Sequence, residues 1–248
     1  MNTYNKLISM ASSKPNYVCL IDPDKLNEKE SIHFAKTCEE SGADLLFVGG
    51  SMMLYNNFEN NLKAIKSSVN IPVLIFPGLF NFVSPFADAL LLLAVLSSRN
   101  PQMLIGEQVR AAPLIKHHNV EAIGTGYMLI ESGKMTSVNF MSAGFPIPHS
   151  KNDIAVAHAL AGQYLGMKLI YMDSGSGAEY PVSNSMITSI KENILLPLIV
   201  GGGIKDPAVA AEKAKAGADF VVTGNILEKN NDPKLIRDFA DAVHGSRK

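Results

Sequence analysis

Eight short apolar runs, separated mostly by stretches of helical periodicity, constrain this 248-residue chain more than any other feature. They are Tyr17 to Ile21, Asp44 to Val48, Pro72 to Phe76, Asp88 to Leu93, Val120 to Gly126, Lys168 to Met172, Pro197 to Val200 and Asp219 to Thr223. Most are continuously apolar rather than alternating, as parallel strands covered on both faces must be. Leu26 to Ser41 carries helical spacing at Ile32, Ala35 and Cys38. Pro207 to Ala216 is an Ala-rich helix entered through a capping Asp206 with proline at the first turn. Two segments repeat one another: Ser41-Gly-Ala-Asp-Leu-Leu-Phe-Val-Gly-Gly-Ser51 and Ala216-Gly-Ala-Asp-Phe-Val-Val-Thr-Gly-Asn-Ile226. Repeated βα units in this number fit an α/β chain folded as one (β/α)8 barrel, residues 1–248, better than a doubly wound sheet.

The pattern breaks twice. The linker Pro77 to Ala87 holds two prolines and a glycine, so the third covering helix is expected to be missing or vestigial. Met128 to Lys151 has turn signals at Ser132-Gly133 and Ala143-Gly144 and reads as a hairpin followed by a lid-like loop.

Lys and Arg number 22 against 23 Asp and Glu, so the driving term for sequence-independent nucleic-acid binding is absent and no nucleic-acid partner is expected. The longest apolar run, Ala89 to Leu96, is far short of the ~20 residues that cross a bilayer. Met1 to Pro15 is polar and lacks the layout of a secretory signal, so the expected location is cytoplasmic. Cys19 and Cys38 show no metal-ligand spacing and read as reduced packing residues.

Barrel chemistry belongs at the carboxyl ends of the strands. The seventh run exits into Gly201-Gly202-Gly203 and the eighth into Gly224-Asn225, where backbone N–H groups can face a phosphate. The first exits into Asp22-Pro23-Asp24-Lys25 and the second into Gly49-Gly50-Ser51; their carboxylates and hydroxyl are hard oxygen ligands suited to Mg²⁺, although Asp-Pro-Asp would serve equally as a helix cap. The sixth exits through Tyr171-Met172-Asp173-Ser174-Gly175-Ser176-Gly177. Alternation turns Tyr171 and Asp173 toward the mouth, Asp173 is the leading acid/base candidate, and Glu179 is a weaker one. The six histidines share no metal-ligand spacing, and no serine lies in a nucleophile elbow.

Taken in order, Leu20-Ile-Asp-Pro-Asp-Lys25, Val48-Gly-Gly-Ser51, Tyr171 to Gly177, Gly201-Gly-Gly-Ile204 and Gly224-Asn225 resemble the geranylgeranylglyceryl phosphate synthase family, also called the PcrB family. Ser98-Arg-Asn-Pro101 with Leu104-Ile-Gly106 is similar to its second, larger group. The resemblance implies a modified TIM barrel without its third helix. It also implies Mg²⁺-assisted transfer of a long prenyl group, geranylgeranyl first, from its diphosphate to the C3 hydroxyl of sn-glycerol 1-phosphate, forming an ether-lipid precursor. By the same resemblance Asp22 and Ser51 match the metal positions and Tyr171 to Gly177 the glycerol phosphate loop, with Tyr171 and Asp173 catalytic. Gly202, Gly203, Gly224 and Asn225 match the phosphate turns. Asp173 stands where many members have Glu, and Ile21 where Leu is common. A homo-oligomer and transient contact with a membrane surface are expected, without a transmembrane segment.

Two other functions use parts of the same pattern. A sugar-phosphate isomerase or aldolase would share the phosphate turns but needs a Schiff-base lysine or an opposed acid/base pair inside the barrel. A non-catalytic prenyl-lipid carrier would use an apolar groove alone. In the prenyltransferase and carrier readings alike, the linker from Phe76 to Phe86, with Phe80 and Phe82 between, is the expected lining of the prenyl groove.

Overall fold

The computed structural model describes residues 2–50, 57–78, 82–142, 144–230 and 232–246. All eight expected strands form: β1 (Asn16–Ile21), β2 (Leu45–Gly49), β3 (Val73–Phe76), β4 (Ala89–Val95), β5 (Ala122–Leu129), β6 (Leu169–Asp173), β7 (Leu198–Gly201) and β8 (Phe220–Thr223). Each pairs in parallel with the next. β8 returns to β1 with Asn16 opposite Phe220 and Cys19 opposite Thr223, closing the barrel.

Ten helices accompany them among the described residues: α1 (Thr3–Ser13), α2 (Glu28–Glu40), α3 (Phe58–Ser68), α4 (Glu107–His118), α5 (Ser137–Ser142), α6 (Asn152–Tyr164), α7 (Asn184–Lys191), α8 (Pro207–Ala216), α9 (Asn225–Asn230) and α10 (Pro233–His244). A π-helical turn, Gln102–Gly106, leads into α4. Among the described residues no helix joins β3 to β4, as the prolines of that linker require. α2 starts later than its spacing suggested: Asn27 is its N-cap, with a reciprocal capping box to Glu30. Asp22 is therefore released from the capping role that Asp-Pro-Asp also allowed.

Two apolar layers share the sheet. Outward side chains such as Cys19, Val48, Ile75, Ile170 and Val200 pack beneath the helices. Inward ones, including Val18, Phe47, Leu91, Tyr127, Tyr171 and Val222, fill the lumen. α1 plugs the amino-terminal end of that lumen with Leu7, and the Glu121 carboxylate accepts the orphan N–H groups of Thr3 and Tyr4. Cys19 and Cys38 are free thiols and fully buried.

The repeated Gly-Ala-Asp signal has a structural meaning. Asp44, immediately before β2, exchanges two hydrogen bonds with Tyr17 of β1: its own N–H donates to the Tyr17 carbonyl at 2.9 Å and its Oδ2 accepts the Tyr17 N–H at 2.8 Å. Asp88 does the same with Val73 of β3, and Asp219 with Leu198 of β7. Each carboxylate is also held by a cation, Asp44 by Lys14, Asp88 by Lys66 and Asp219 by Lys191, and Asp44 has His244 Nε2 as a further partner at 2.6 Å. Before β6 the equivalent residue is Lys168, which keeps only the backbone bond, to Gly124. These staples all lie on the face opposite the strand exits.

Two expectations need correction. The segment after β5 is not a hairpin, because Ile147 pairs with Ile130 in parallel and a hairpin would run antiparallel. The Ser132-Gly133 turn instead sends the chain across the barrel mouth, where it forms the short α5 before returning. The phenylalanine linker does not line a groove as a whole either. Phe82 is buried and packs edge-to-face on Phe58, with centroids 5.3 Å apart, and Phe86 is part-buried against that same core. Phe80 lies outside the described residues.

The Asp44 staple makes a prediction. Burial alone would raise its pKa, but bonds from His244, the Tyr17 amide and Lys14 outweigh burial and hold it below the ordinary 3.8. A carboxyl depressed on folding contributes stability above its unfolded pKa and loses it as pH falls through the folded value. Asp44→Asn should therefore unfold about 1–3 kcal/mol more easily at neutral pH in urea titrations. The difference from the parent should shrink below about pH 3.8, which the same titrations repeated at low pH will check.

Candidate active site

The strand exits enclose a cavity of about 490 Å³ whose chemistry changes in strand order around the mouth. From β6 through β8 to β2 gather its charged and hydrogen-bonding groups and its glycine turns, Asp173, Ser176, Gly177, Gly202, Gly203, Lys205, Gly224, Asn225, Asp22, Lys25 and Gly50, with Leu20, Val222, Ile204 and Ile226 between them. From β3 to β5 and under α5 it is apolar, lined by Phe76, Leu93, Val95, Met103, Val138 and Met141. A head and a tail of opposite chemistry fit such a site. The boundary between the halves is floored by rings: Phe47, Phe76, Tyr127 and Tyr171 stack or tilt on one another with centroids 5.4–6.3 Å apart.

Asp173, the last residue of β6, stands at this boundary. Tyr127 Oη donates to its Oδ2 at 2.6 Å and the Gly175 N–H to its Oδ1 at 2.7 Å. Burial raises the Asp173 pKa above the ordinary carboxylate value, while the two donors partly hold it down. A carboxylate so placed is a stronger base than a solvated one and still keeps its orientation. Burial and the Asp173 charge together push both the Tyr127 and Tyr171 phenols well above their usual value, so both stay protonated donors. Tyr171 fits because Gly201 has no side chain: a Cβ there would come within 2.8 Å of its hydroxyl.

The glycine turn after β7 is locked to the same carboxylate. Gly202 has φ +81°, and a Cβ on it would lie 2.5 Å from Asp173 Oδ1 and 2.6–2.7 Å from the amides of Gly175 and Ser174. Only glycine combines that backbone conformation with that closeness. Gly202 thus shapes the surroundings of the Asp173 carboxylate as well as lining the cavity, and a β-branched residue there would disturb both.

Of the loop Tyr171 to Gly177, the structure brings Tyr171, Asp173, Ser176 and Gly177 to the cavity, with Gly202, Gly203, Gly224 and Asn225 opposite. Ser174 and Gly175 lie behind the lining, with amides committed to the Gly201 carbonyl and the Asp173 carboxylate. Glu179 is not among the lining residues; its carboxylate is close to Gly133, where a Cβ would lie 2.7 Å from Oε2. Ser51 lies outside the described residues. Sequence reasoning did not single out Tyr127, Lys25 or Lys205. Tyr127 was signalled only by alternation along β5, and the lysines by their places just past two strand exits.

Among the described residues no three His, Cys, Asp or Glu side chains gather into a metal cluster. Asp22 nevertheless fits a hard divalent cation. Its carboxylate lines the cavity facing Gly50, and a Cβ on that glycine would fill the approach at 3.4–3.5 Å. One carboxylate completed by substrate oxygens is an ordinary share of ligands for Mg²⁺.

Comparison with known proteins agrees with this geometry. The PcrB family model matches residues 10–243. The chain belongs to the PcrB family. A Chitinophaga pinensis protein named geranylgeranylglyceryl phosphate synthase is 44% identical over 244 residues, covering 98% of this chain and 96% of its own. A Methanosphaera stadtmanae protein of the same name is 39% identical over 245 residues, covering 98% and 100%. The solved structure of (S)-3-O-geranylgeranylglyceryl phosphate synthase from Thermoplasma acidophilum, in complex with sn-glycerol-1-phosphate, superposes with TM-score 0.94 at 31% identity over 99% of both chains. No helix among the described residues of this PcrB-family chain is long and apolar enough to cross a membrane.

Tyr127→Phe tests the Asp173 geometry. The lost hydrogen bond favours the charged carboxylate, so its removal should raise the Asp173 pKa and move the acid limb of the pH–rate profile to higher pH. Carboxyl NMR titration of the variant should show the same upward displacement.

Proposed function

We propose that this chain transfers a long prenyl group, geranylgeranyl first, from its diphosphate to the C3 hydroxyl of sn-glycerol 1-phosphate, forming an ether bond and releasing diphosphate. One observation carries the reading: a single cavity passes from glycine turns to an apolar end, with a buried carboxylate where the two meet. The relatives' names and the glycerol phosphate complex of the Thermoplasma protein support it.

In this reading the turns at Gly202, Gly203, Gly224 and Asn225, with Ser176, take the phosphate monoester. That places the glycerol beside Asp173 and Tyr171. The diphosphate lies toward Asp22 and the β2 exit, and the tail toward Leu93, Val95, Met103, Val138 and Met141. Asp173 accepts the C3 hydroxyl proton as that oxygen bonds to the allylic C1 and the C1–diphosphate bond breaks. Tyr127 keeps the carboxylate aimed throughout. A Mg²⁺ ion held by Asp22 would neutralise charge on the departing diphosphate. The rest of the catalysis is alignment and exclusion of water, for which the ring floor and α5 are suited.

The alternatives fit less well. Among the described residues no lysine lies on a barrel strand, as a Schiff-base aldolase would need. A lipid carrier has no use for a buried base tied to a phosphate turn. Self-association belongs to the proposal as well, since Ile105, Val109, Phe140 and Phe145 are exposed apolar side chains, and mass measurement in solution tests it.

Incubation with sn-glycerol 1-phosphate and a ladder of prenyl diphosphates, read by mass spectrometry, should yield the prenyl ether; absence of product from every donor would refute the reading. Asp173→Asn should lower kcat about 10²–10⁴-fold while the glycerol phosphate KM changes little. Met141→Trp should overfill the apolar end at about 1–3 kcal/mol. Efficiency with a C20 donor should then fall roughly tenfold or more, with a C10 donor far less affected.

A further inference from the structure

Lys25 is not explained by the reaction described above, yet it occupies a singular position. It lies three residues beyond Asp22 on the β1 exit loop. Its Nζ is 3.0 Å from Asp22 Oδ2 and 3.3 Å from Oδ1 of Asn225, at the far end of the sequence. The Asn225 amide in turn donates to Ser176 Oγ at 2.5 Å. One ammonium therefore touches both the carboxylate suited to a metal and the turn suited to the phosphate monoester, and it lines the cavity itself.

We infer that Lys25 is a place-holding cation: it neutralises Asp22 while the site is empty, yields that carboxylate to a divalent ion, and turns to the diphosphate oxygens as they arrive. The inference rests on Asp22 being the metal-binding carboxylate of the proposed reaction. Asp22 Oδ1 already accepts the Asp24 N–H at 3.2 Å and Lys25 holds Oδ2, so a divalent ion on this carboxylate meets the ammonium at close range, where their like charges repel. The displaced ammonium has a long stem and half-exposed side chain, so it can swing without disturbing the barrel. The diphosphate is the strongest new acceptor within its reach, and such charge-assisted bonds are among the stronger ones. Lys25 would thus weaken metal binding to the empty protein and strengthen diphosphate binding to the metal-loaded one.

That opposition in sign is the test. Mn²⁺ binding to the full-length protein is measured by electron paramagnetic resonance, and inorganic pyrophosphate binding at saturating Mn²⁺ by calorimetry, for the parent, Lys25→Met and Asp22→Asn. Lys25→Met should bind Mn²⁺ about fivefold more tightly, the scale of an exposed ion pair. The same variant should bind pyrophosphate roughly tenfold more weakly. Equal or weaker Mn²⁺ binding by Lys25→Met overturns the inference, as does unchanged pyrophosphate affinity. Asp22→Asn should lose Mn²⁺ binding; if it does not, the premise about Asp22 fails, a result distinguishable from failure of the Lys25 exchange. Thermal melting of Lys25→Met at the parent temperature confirms that the comparison is between folded proteins.

Discussion

A parallel ladder that closes on itself has no free edge, and closure of β8 onto β1 fixes where every strand ends. The functional groups of this chain are stationed at those ends, so their spacing is set by register rather than by loop choice. Asp173 at the end of β6 and Gly201 at the end of β7 lie opposite each other in the ladder, and Asp22 follows directly on β1, whose position is fixed by its pairing with β2 and β8. The carboxylate staples at Asp44, Asp88 and Asp219 tie neighbouring strands at the other end. Stability is therefore concentrated away from the chemistry, and the mouth is free to carry buried charge and positive-φ glycines that would weaken an ordinary core.

The mouth itself divides into two kinds of construction. On the β6–β8 side, backbone approaches so closely that side chains are excluded: Gly202 abuts the Asp173 carboxylate, and Gly203 packs against the backbone of Tyr180 and Pro181. On the β3–β5 side, side chains do the lining, drawn from β4, the π-helical turn and the short α5. A rigid polar half and a side-chain-built apolar half meet at a carboxylate whose two oxygens are both engaged by donors. Burial that raises its basicity and donors that keep it aimed act together, a combination that neither a solvated nor an isolated buried carboxylate offers.

Much of this was legible because barrel strands leave an unmistakable trace. Covered on both faces, they read as continuous apolar runs, and all eight were found to within a few residues of their ends. The glycines past β7 and β8 were legible for the same reason. α1 was not singled out, although Tyr4, Leu7, Met10 and Ala11 recur at helical spacing and pack together at the end of the lumen; only Leu7 is fully buried, so the face is short and weakly apolar. The segment after β5 carries turn residues that a hairpin would also use, and only the parallel pairing of Ile130 with Ile147 separates the two. The phenylalanine linker misled because apolar residues in a loop cannot declare whether they face a ligand or, as Phe82 does, a neighbouring ring. Lys25 reads only as the end of the Asp22-Pro23-Asp24-Lys25 exit, because its partner Asn225 is 200 residues away in sequence.

The locked contact between Gly202 and Asp173 has a consequence for how such a protein can diverge. Any substitution that adds a side chain to the turn displaces the Asp173 carboxylate, so in the proposed reaction headgroup recognition and proton transfer can change only together. The apolar wall is made of separate side chains on separate elements, each replaceable without shifting backbone. Variation in a lineage of such barrels should therefore be lopsided, with the length of the lipid tail open to single-step adjustment while the polar half stands still.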